Sequence, residues 1–260
     1  RRCIEKLAGD ERTLIFYEAP HKLAAALADL AAILGDRRLA IVRELTKIHE
    51  QVILTTLCAA AEKYSADAFA TKHQDAIYFS KRVSRAVPDG GFIEAHTDLV
   101  QKLDYECELA VVLGKDAKDV PAGQTKDYVF GYTILNDVSA RDVQTAHKQW
   151  YFGKSLDGFT PIGPCIVTAD EFDTYPPALP IRSRVNGELR QDSNTSLQIF
   201  DIDHVIHELS QGMTLKAGTI IATGTPAGVG MGMDPPQFLH PGDTVQCEIE
   251  GIGTLTNTVR

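Results

Sequence analysis

The chain lacks paired-cysteine spacings, long apolar runs and any excess of basic charge. Its five cysteines, Cys3, Cys58, Cys107, Cys165 and Cys247, are odd in number, widely separated and never in a C-x-x-C pair. That argues against a zinc knuckle or a disulfide framework and fits a reducing cytosol. No stretch approaches the roughly 18 apolar residues that span a bilayer, and no signal-peptide pattern occurs. A cytoplasmic protein without a membrane span is expected. Lys and Arg number 26 against 35 Asp and Glu, a net charge of −9. Residues 1–64 carry ten basic and nine acidic side chains; the rest carries 16 and 26. So acidic a surface repels phosphate backbones, which disfavours a nucleic-acid partner.

With 44% hydrophobic and 23% charged residues, the composition is that of a folded globular protein. Its 260 residues suffice for one large or two modest domains. The chain opens on Arg1 rather than methionine, so its natural start is expected upstream.

The first part reads as α/β. Thr13–Tyr17 is β-prone, and Pro20 is placed for a helix's first turn. Leu23, Leu27, Leu30 and Leu34 recur at helical spacing, and Gly35-Asp36 stops that helix. Leu39–Arg43 reads as a strand and Leu54–Tyr64 as a helix. Near residue 65 the character changes to short strands between Gly/Pro turns. The predicted strands are Ala76–Phe79, Leu103–Leu113, Tyr128–Leu135, Cys165–Thr168, Ile181–Val185, Gly218–Thr223, Thr244–Ile249 and Gly253–Val259, with a helix over Ile202–Gln211. Two domains are expected, residues 1–64 and 65–260.

Leu103-Asp104-Tyr105-Glu106-Cys107-Glu108-Leu109 alternates apolar with acidic residues. In a strand, Asp104, Glu106 and Glu108 share one face. Ala110–Leu113 is apolar on both faces, so the strand runs into a core. Clustered carboxylates there repel one another and resist desolvation, and a bound cation relieves both problems. Oxygen ligands alone select a hard ion: Mg²⁺, Mn²⁺ or Ca²⁺. The strand by itself leaves open a merely solvated acidic face.

Further along, Asn136-Asp137 follows a predicted strand, and Asp137 at its end suits a third ligand. Arg141 and Gln144 then lie on roughly one helical face, where a guanidinium suits a substrate carboxylate; a capped helix with an ordinary salt bridge remains the alternative. Lys154 opens a Gly/Pro-rich loop and could stabilise a developing oxyanion, or be a surface lysine. Thr223-Gly224-Thr225-Pro226-Ala227-Gly228-Val229-Gly230 offers backbone N–H groups and a hydroxyl to an anion, yet lacks the Gly-Lys-Ser/Thr of a P-loop.

In combination these segments resemble the fumarylacetoacetate hydrolase family. The resemblance rests on Asp104-Tyr105-Glu106-x-Glu108-Leu109-Ala110-Val111-Val112, Asn136-Asp137-Val138-Ser139-Ala140-Arg141-Asp142, Lys154-Ser155-x-Asp157-Gly158-Phe159 and Thr223-Gly224-Thr225-Pro226-x-Gly228-Val229-Gly230, in that order. It implies an α+β fold built on a mixed β-roll or sandwich, a homodimer, and a Mg²⁺ or Mn²⁺ ion held by Glu106, Glu108 and Asp137. It also implies that Arg141, Gln144, Lys154, Gly224 and Thr225 contact substrate, with Lys154, Glu106 and Asp137 catalytic. Members cleave C–C bonds of acylpyruvates, decarboxylate oxaloacetate, or isomerise dienedioates, so a small 2-oxo or diketo acid is the expected substrate, cleaved through a metal-stabilised enolate. One departure stands out. Such enzymes carry an Asn-Tyr-x-x-His-like segment ahead of the first core strand, and here only His73 lies near. Its loss would weaken hydrolysis more than decarboxylation, and leaves a catalytically impaired metal- and dicarboxylate-binding protein as an alternative.

Upstream, Arg12–Lys22, Leu34–Arg38 and Arg43–Glu50 resemble the later part of a ribosomal RNA small-subunit methyltransferase of the tetrapyrrole-methylase type. The cofactor-binding half of such an enzyme is missing from the sequence, so methyl transfer is not expected.

Overall fold

A computed structural model describes residues 2–7, 9–10, 12–16, 23–43, 51–63 and 75–260. The chain forms two compact units, Arg1–Ala76 and Ile77–Arg260.

In the first unit, helices α1 (Arg2–Glu5) and α2 (Leu23–Leu34) precede an antiparallel hairpin of β1 (Arg38–Arg43) and β2 (Gln51–Thr56), and α3 (Leu57–Lys63) follows. The leucine spacing predicts α2 because it puts one apolar stripe on a helix. Leu27 and Leu30 are buried with Ile41, Leu57 and Ala60. Gly35, at φ +70°, ends the helix in the left-handed conformation glycine accepts without strain. The expected helix over Leu54–Tyr64 is corrected: residues 54–56 belong to β2, where Leu54, Thr55 and Thr56 pair with Ala40, Leu39 and Arg38. Ile53, Thr55 and Thr56 are β-branched and favour the extended chain, and the helix waits for Leu57. Thr13–Phe16 is irregular rather than a strand. Tyr17, Pro20, Tyr64 and His73 lie outside the described residues, as do residues 44–50.

The second unit is a mixed α+β fold of several sheets and few helices. A five-stranded sheet has the order β10 (Glu188–Asn194), β9 (Pro180–Val185), β12 (Thr244–Ile249), β13 (Gly253–Val259), β3 (Phe92–Ile93). A four-stranded sheet has the order β11 (Ile220–Ala222), β5 (Cys107–Leu113), β6 (Val129–Asn136), β8 (Ile162–Thr168). A two-residue ladder joins β4 (Leu103–Asp104) to β7 (Ser139–Ala140). Three helices matter to the site or its frame: α4 (Arg141–Ala146), α5 (Tyr151–Lys154) and α6 (Ile202–Ser210). The Asp201 side chain caps α6 by accepting from the His204 N–H at 2.8 Å. Asn186-Gly187 forms the β9–β10 turn with φ of 52° and 83°, the pair of positive angles that a two-residue hairpin of matching twist requires.

The core lies between the two larger sheets. Cys107, Leu109, Val111 and Leu113 of β5 join Tyr132 and Ile134 of β6, and Ile181, Val245, Cys247, Ile249 and Leu255 of the other sheet, in one buried cluster. Glu108, Ala110 and Val112 occupy the opposite face of β5 and are also buried. Period-2 alternation therefore holds along β5, with both faces covered.

Several strand limits differ from the sequence expectation. Leu103–Leu113 is broken at Tyr105-Glu106 into β4 and β5. Ala76–Phe79 is irregular and carries no ladder, and Ile77 is exposed. The strand predicted at 218–223 shrinks to Ile220–Ala222, and β10 was not anticipated as a strand.

Candidate metal centre

β5 and β6 pair with Cys107 opposite Asn136. Glu106 and Asp137 thus stand one residue beyond the same end of one ladder. The Asp137 N–H donates to the Glu106 carbonyl at 2.8 Å, and the Glu106 N–H donates to Asn136 Oδ1 at 3.0 Å. Glu108 sits one residue inside β5 on the face away from the core. One carboxylate oxygen from each of Glu106, Glu108 and Asp137 lies within 4.8 Å of the others. Sequence alternation had grouped Asp104 with Glu106 and Glu108; the break at Tyr105-Glu106 separates it, and Asp137 takes its place.

Two lysines and an arginine surround this cluster. Lys154 Nζ lies 2.6 Å from both Glu106 Oε2 and Asp137 Oδ2. Lys81 Nζ lies 2.6 Å from Asp137 Oδ1. Arg141 places Nη1 2.6 Å from Glu106 Oε1 and Nε 2.8 Å from Asp104 Oδ2. Lys154 closes the single turn of α5 rather than opening a loop, and it is only 2% exposed. That turn packs against α4 so closely that a Cβ on Gly153 would fall 2.6 Å from the Gln144 backbone nitrogen.

The environments push these groups apart. Burial raises the Glu108 carboxyl well above its ordinary range, and the charges of Asp137 and Glu106 push the same way. Burial alone would raise Asp137 too, but Lys81 and Lys154 outweigh it and hold that carboxyl low. Burial pulls Lys81 below the ordinary lysine range despite its contact with Asp137. Lys154 faces the same burial, yet Asp137 and Glu106 together keep it above that range.

The remaining predicted residues are drawn in as well. Gln144 Oε1 accepts from Arg141 Nη1 at 3.2 Å, the two side chains sharing a face of α4. The Gly224 N–H donates to Glu108 Oε2 at 2.9 Å. Thr225 is turned inward: its hydroxyl donates to the Cys107 carbonyl at 3.0 Å and accepts from Gln191 Nε2 at 2.8 Å. Lys81, Asn136 and Gln191 carry no role in the sequence reading. Nothing local marks Lys81, which stands on a segment with no ladder: Phe79 lies under the Lys154 ammonium, 5.5 Å from it, while Lys81 reaches Asp137. Phe79 also meets Trp150 edge to face at 5.3 Å.

The donor set fits a hard divalent cation. It offers carboxylate oxygens only, and an ammonium already bridges two of them at the spacing quoted above. The third carboxylate, Glu108, is the one whose charge the site balances least.

Residues 52–260 match the family model described as fumarylacetoacetate (FAA) hydrolase C-terminal. The chain belongs to the fumarylacetoacetate hydrolase family. It is 48% identical over 181 residues to oxaloacetate tautomerase YisK of Bacillus subtilis, covering 70% of this chain and 60% of that protein. A fumarylacetoacetate hydrolase from Exiguobacterium antarcticum is 48% identical with a TM-score of 0.71, covering 75% of this chain and 70% of the other. A 2-hydroxyhepta-2,4-diene-1,7-dioate isomerase from Mycobacterium marinum is 37% identical with a TM-score of 0.58, covering 85% and 73%. The chain thus spans about three-fifths of the Bacillus relative's length. The family match begins at residue 52, inside the segment that resembles a methyltransferase, and that second resemblance finds no support in these comparisons. Among the described residues no helix is long and apolar enough to cross a membrane.

Proposed function

We propose that this chain is a divalent-metal-dependent enzyme of small 2-oxo acids that moves a proton at the carbon beside the oxo group, interconverting keto and enol forms. The observation that carries this reading is the placement of two lysines on one carboxylate, the half-buried Lys81 and the buried Lys154, whose proton affinities are displaced in opposite directions. Paired groups pushed apart by their surroundings are the usual sign of an acid and base assignment. Glu106, Glu108 and Asp137 would hold Mg²⁺ or Mn²⁺, with Ca²⁺ a third candidate, and the ion would supply Lewis-acid polarisation of the substrate's oxygens.

The chain's own groups have separable tasks. Arg141 offers its guanidinium to the substrate carboxylate, braced by Asp104, Glu106 and Gln144. Lys154 stays an ammonium and offsets negative charge on the enol oxygen. Lys81, brought down by burial, takes and returns the proton. Burial of these groups keeps bulk water from competing for it. The names of the Bacillus tautomerase and the Mycobacterium isomerase support proton relocation as the reaction class.

A second reading is C–C bond cleavage, either hydrolysis of an acylpyruvate or decarboxylation of oxaloacetate, and the name of the Exiguobacterium structure favours it. Decarboxylation draws on the same charge stabilisation; hydrolysis also needs an activated water. On the family resemblance alone we further propose catalysis by residues 65–260, residues 1–64 as an appended segment, and a homodimer in the cytoplasm.

Oxaloacetate enol absorbance, followed with Mg²⁺ or Mn²⁺ and again with chelator, tests these readings. Chelator-sensitive enol decay without pyruvate supports the tautomerase; stoichiometric pyruvate supports decarboxylation. Metal binding without turnover of oxaloacetate or acylpyruvate would leave the impaired, binding-only protein. Glu106→Gln retaining metal-dependent turnover would sink the ligand assignment.

A further inference from the structure

Asp104 is fully buried, at 0% exposure, yet lies outside the three-carboxylate cluster. Its Oδ2 accepts from Arg141 Nε at 2.8 Å and from the Met231 N–H at 2.9 Å. Its Oδ1 accepts from the Gly230 N–H at 2.7 Å and the Tyr105 N–H at 2.9 Å. Gly230 has no room for a side chain, since a Cβ would lie 1.9 Å from the Gln237 carbonyl oxygen and 2.8 Å from Asp104 Oδ1. One carboxylate therefore fastens the β4 ladder to the α4 arginine and to the glycine-rich turn at 228–232.

We infer that Asp104 is a positioning residue, aiming the Arg141 guanidinium and coupling it to the 228–232 turn. This rests on the proposed role of Arg141 toward a substrate carboxylate. The chemistry calls for an aspartate. All four partners are donors, so an asparagine must set its own N–H₂ against a donor. Asp104 also divides the guanidinium. Nε is held by Asp104 while Nη1 serves Glu106. Freed from Asp104, the guanidinium would turn further onto Glu106, whose Oε1 it already meets while Lys154 holds Oε2. That would take the guanidinium from the substrate.

The test uses the full chain and two readouts. The first is ligand-free amide exchange at Gly230 and Met231 in wild type, Asp104→Asn and Arg141→Ala. Exchange should quicken at both amides in both variants, although Arg141 hydrogen-bonds neither. The second is calorimetric binding of oxalate in Mn²⁺. Asp104→Asn should weaken it by about tenfold or more, whereas the double variant should bind no more weakly than Arg141→Ala alone. Unchanged exchange in Arg141→Ala, or an Asp104→Asn effect that persists in full without Arg141, overturns the inference. If wild type fails to bind oxalate, the proposed function falls and the exchange experiment still decides the role of Asp104. If Asp104→Asn does not fold, exchange in Arg141→Ala decides it.

Discussion

Lys81 and Lys154 hold opposite oxygens of the same carboxylate, Asp137 Oδ1 and Oδ2, each at 2.6 Å. The two ammonium groups nevertheless differ: burial brings Lys81 down, whereas Lys154 has Glu106 as a second carboxylate partner and stays up. A rate that depends on neutral Lys81 rises with pH through that lowered pKa.

Replacing Lys81 by Met should therefore lower turnover by about 10²–10⁴-fold, the usual contribution of a positioned acid–base group, and erase the rising limb of the pH–rate profile. Lys154→Met should lower turnover across the pH range and leave the limb where it was. An unmoved limb in Lys81→Met would refute the assignment of the base.

Lys154→Met should also destabilise the metal-free protein by about 3–5 kcal/mol, the cost of stripping one partner from a buried ion pair. Glu106 and Asp137 would face each other without the ammonium between them. Adding Mn²⁺ should recover much of the loss, read as a larger metal-induced rise in Tm for the variant than for wild type.

Glu108 sets a pH dependence of stability. Its folded pKa is raised above 4.5, so in the window just above that pH the folded protein keeps a proton the unfolded chain has lost. Stability of the metal-free protein falls as pH rises through this window. Asp137 has the opposite sign: its contribution is present above 3.8 and is lost only as pH drops below that value. Melting wild type and Glu108→Gln side by side above pH 4.5 should show the wild-type decline, its absence in the variant, and its abolition by Mn²⁺.

Gly153→Ala should cost about 1–3 kcal/mol by overpacking and reduce turnover out of proportion to the stability lost. The new Cβ meets the Gln144 backbone, so α5 must shift, and Lys154 is the next residue along. Activity equal to wild type in a variant of normal Tm would contradict this packing.

The alternation of Tyr105, Glu106, Cys107, Glu108 and Leu109 made the start of β5 legible, because a strand sets alternate residues on opposite faces. The leucine stripe of α2 and the Asn186-Gly187 turn were legible for equally local reasons. Alternation put Glu106 with Glu108 and the strand end offered Asp137 as a third ligand, but the full set came through family resemblance, since their meeting depends on the register of β5 against β6, which no local pattern encodes. Lys81 escaped notice because it stands on a segment without a ladder, where its direction follows from tertiary contacts. The split at Tyr105-Glu106 escaped for a related reason: Asp104 leaves the strand's acidic face to satisfy Arg141 and two loop amides. The strand in residues 51–56 was hidden because alanine-rich Leu57–Lys63 extends the helical pattern upstream.

Trp150 is the chain's single tryptophan, and it touches Phe79, whose ring in turn lies under the Lys154 ammonium. The molecule consequently carries its own optical gauge. All indole emission originates one aromatic ring away from the candidate centre, so occupancy of that centre can be followed in the unlabelled protein, without a coupled assay and without background from a second indole elsewhere.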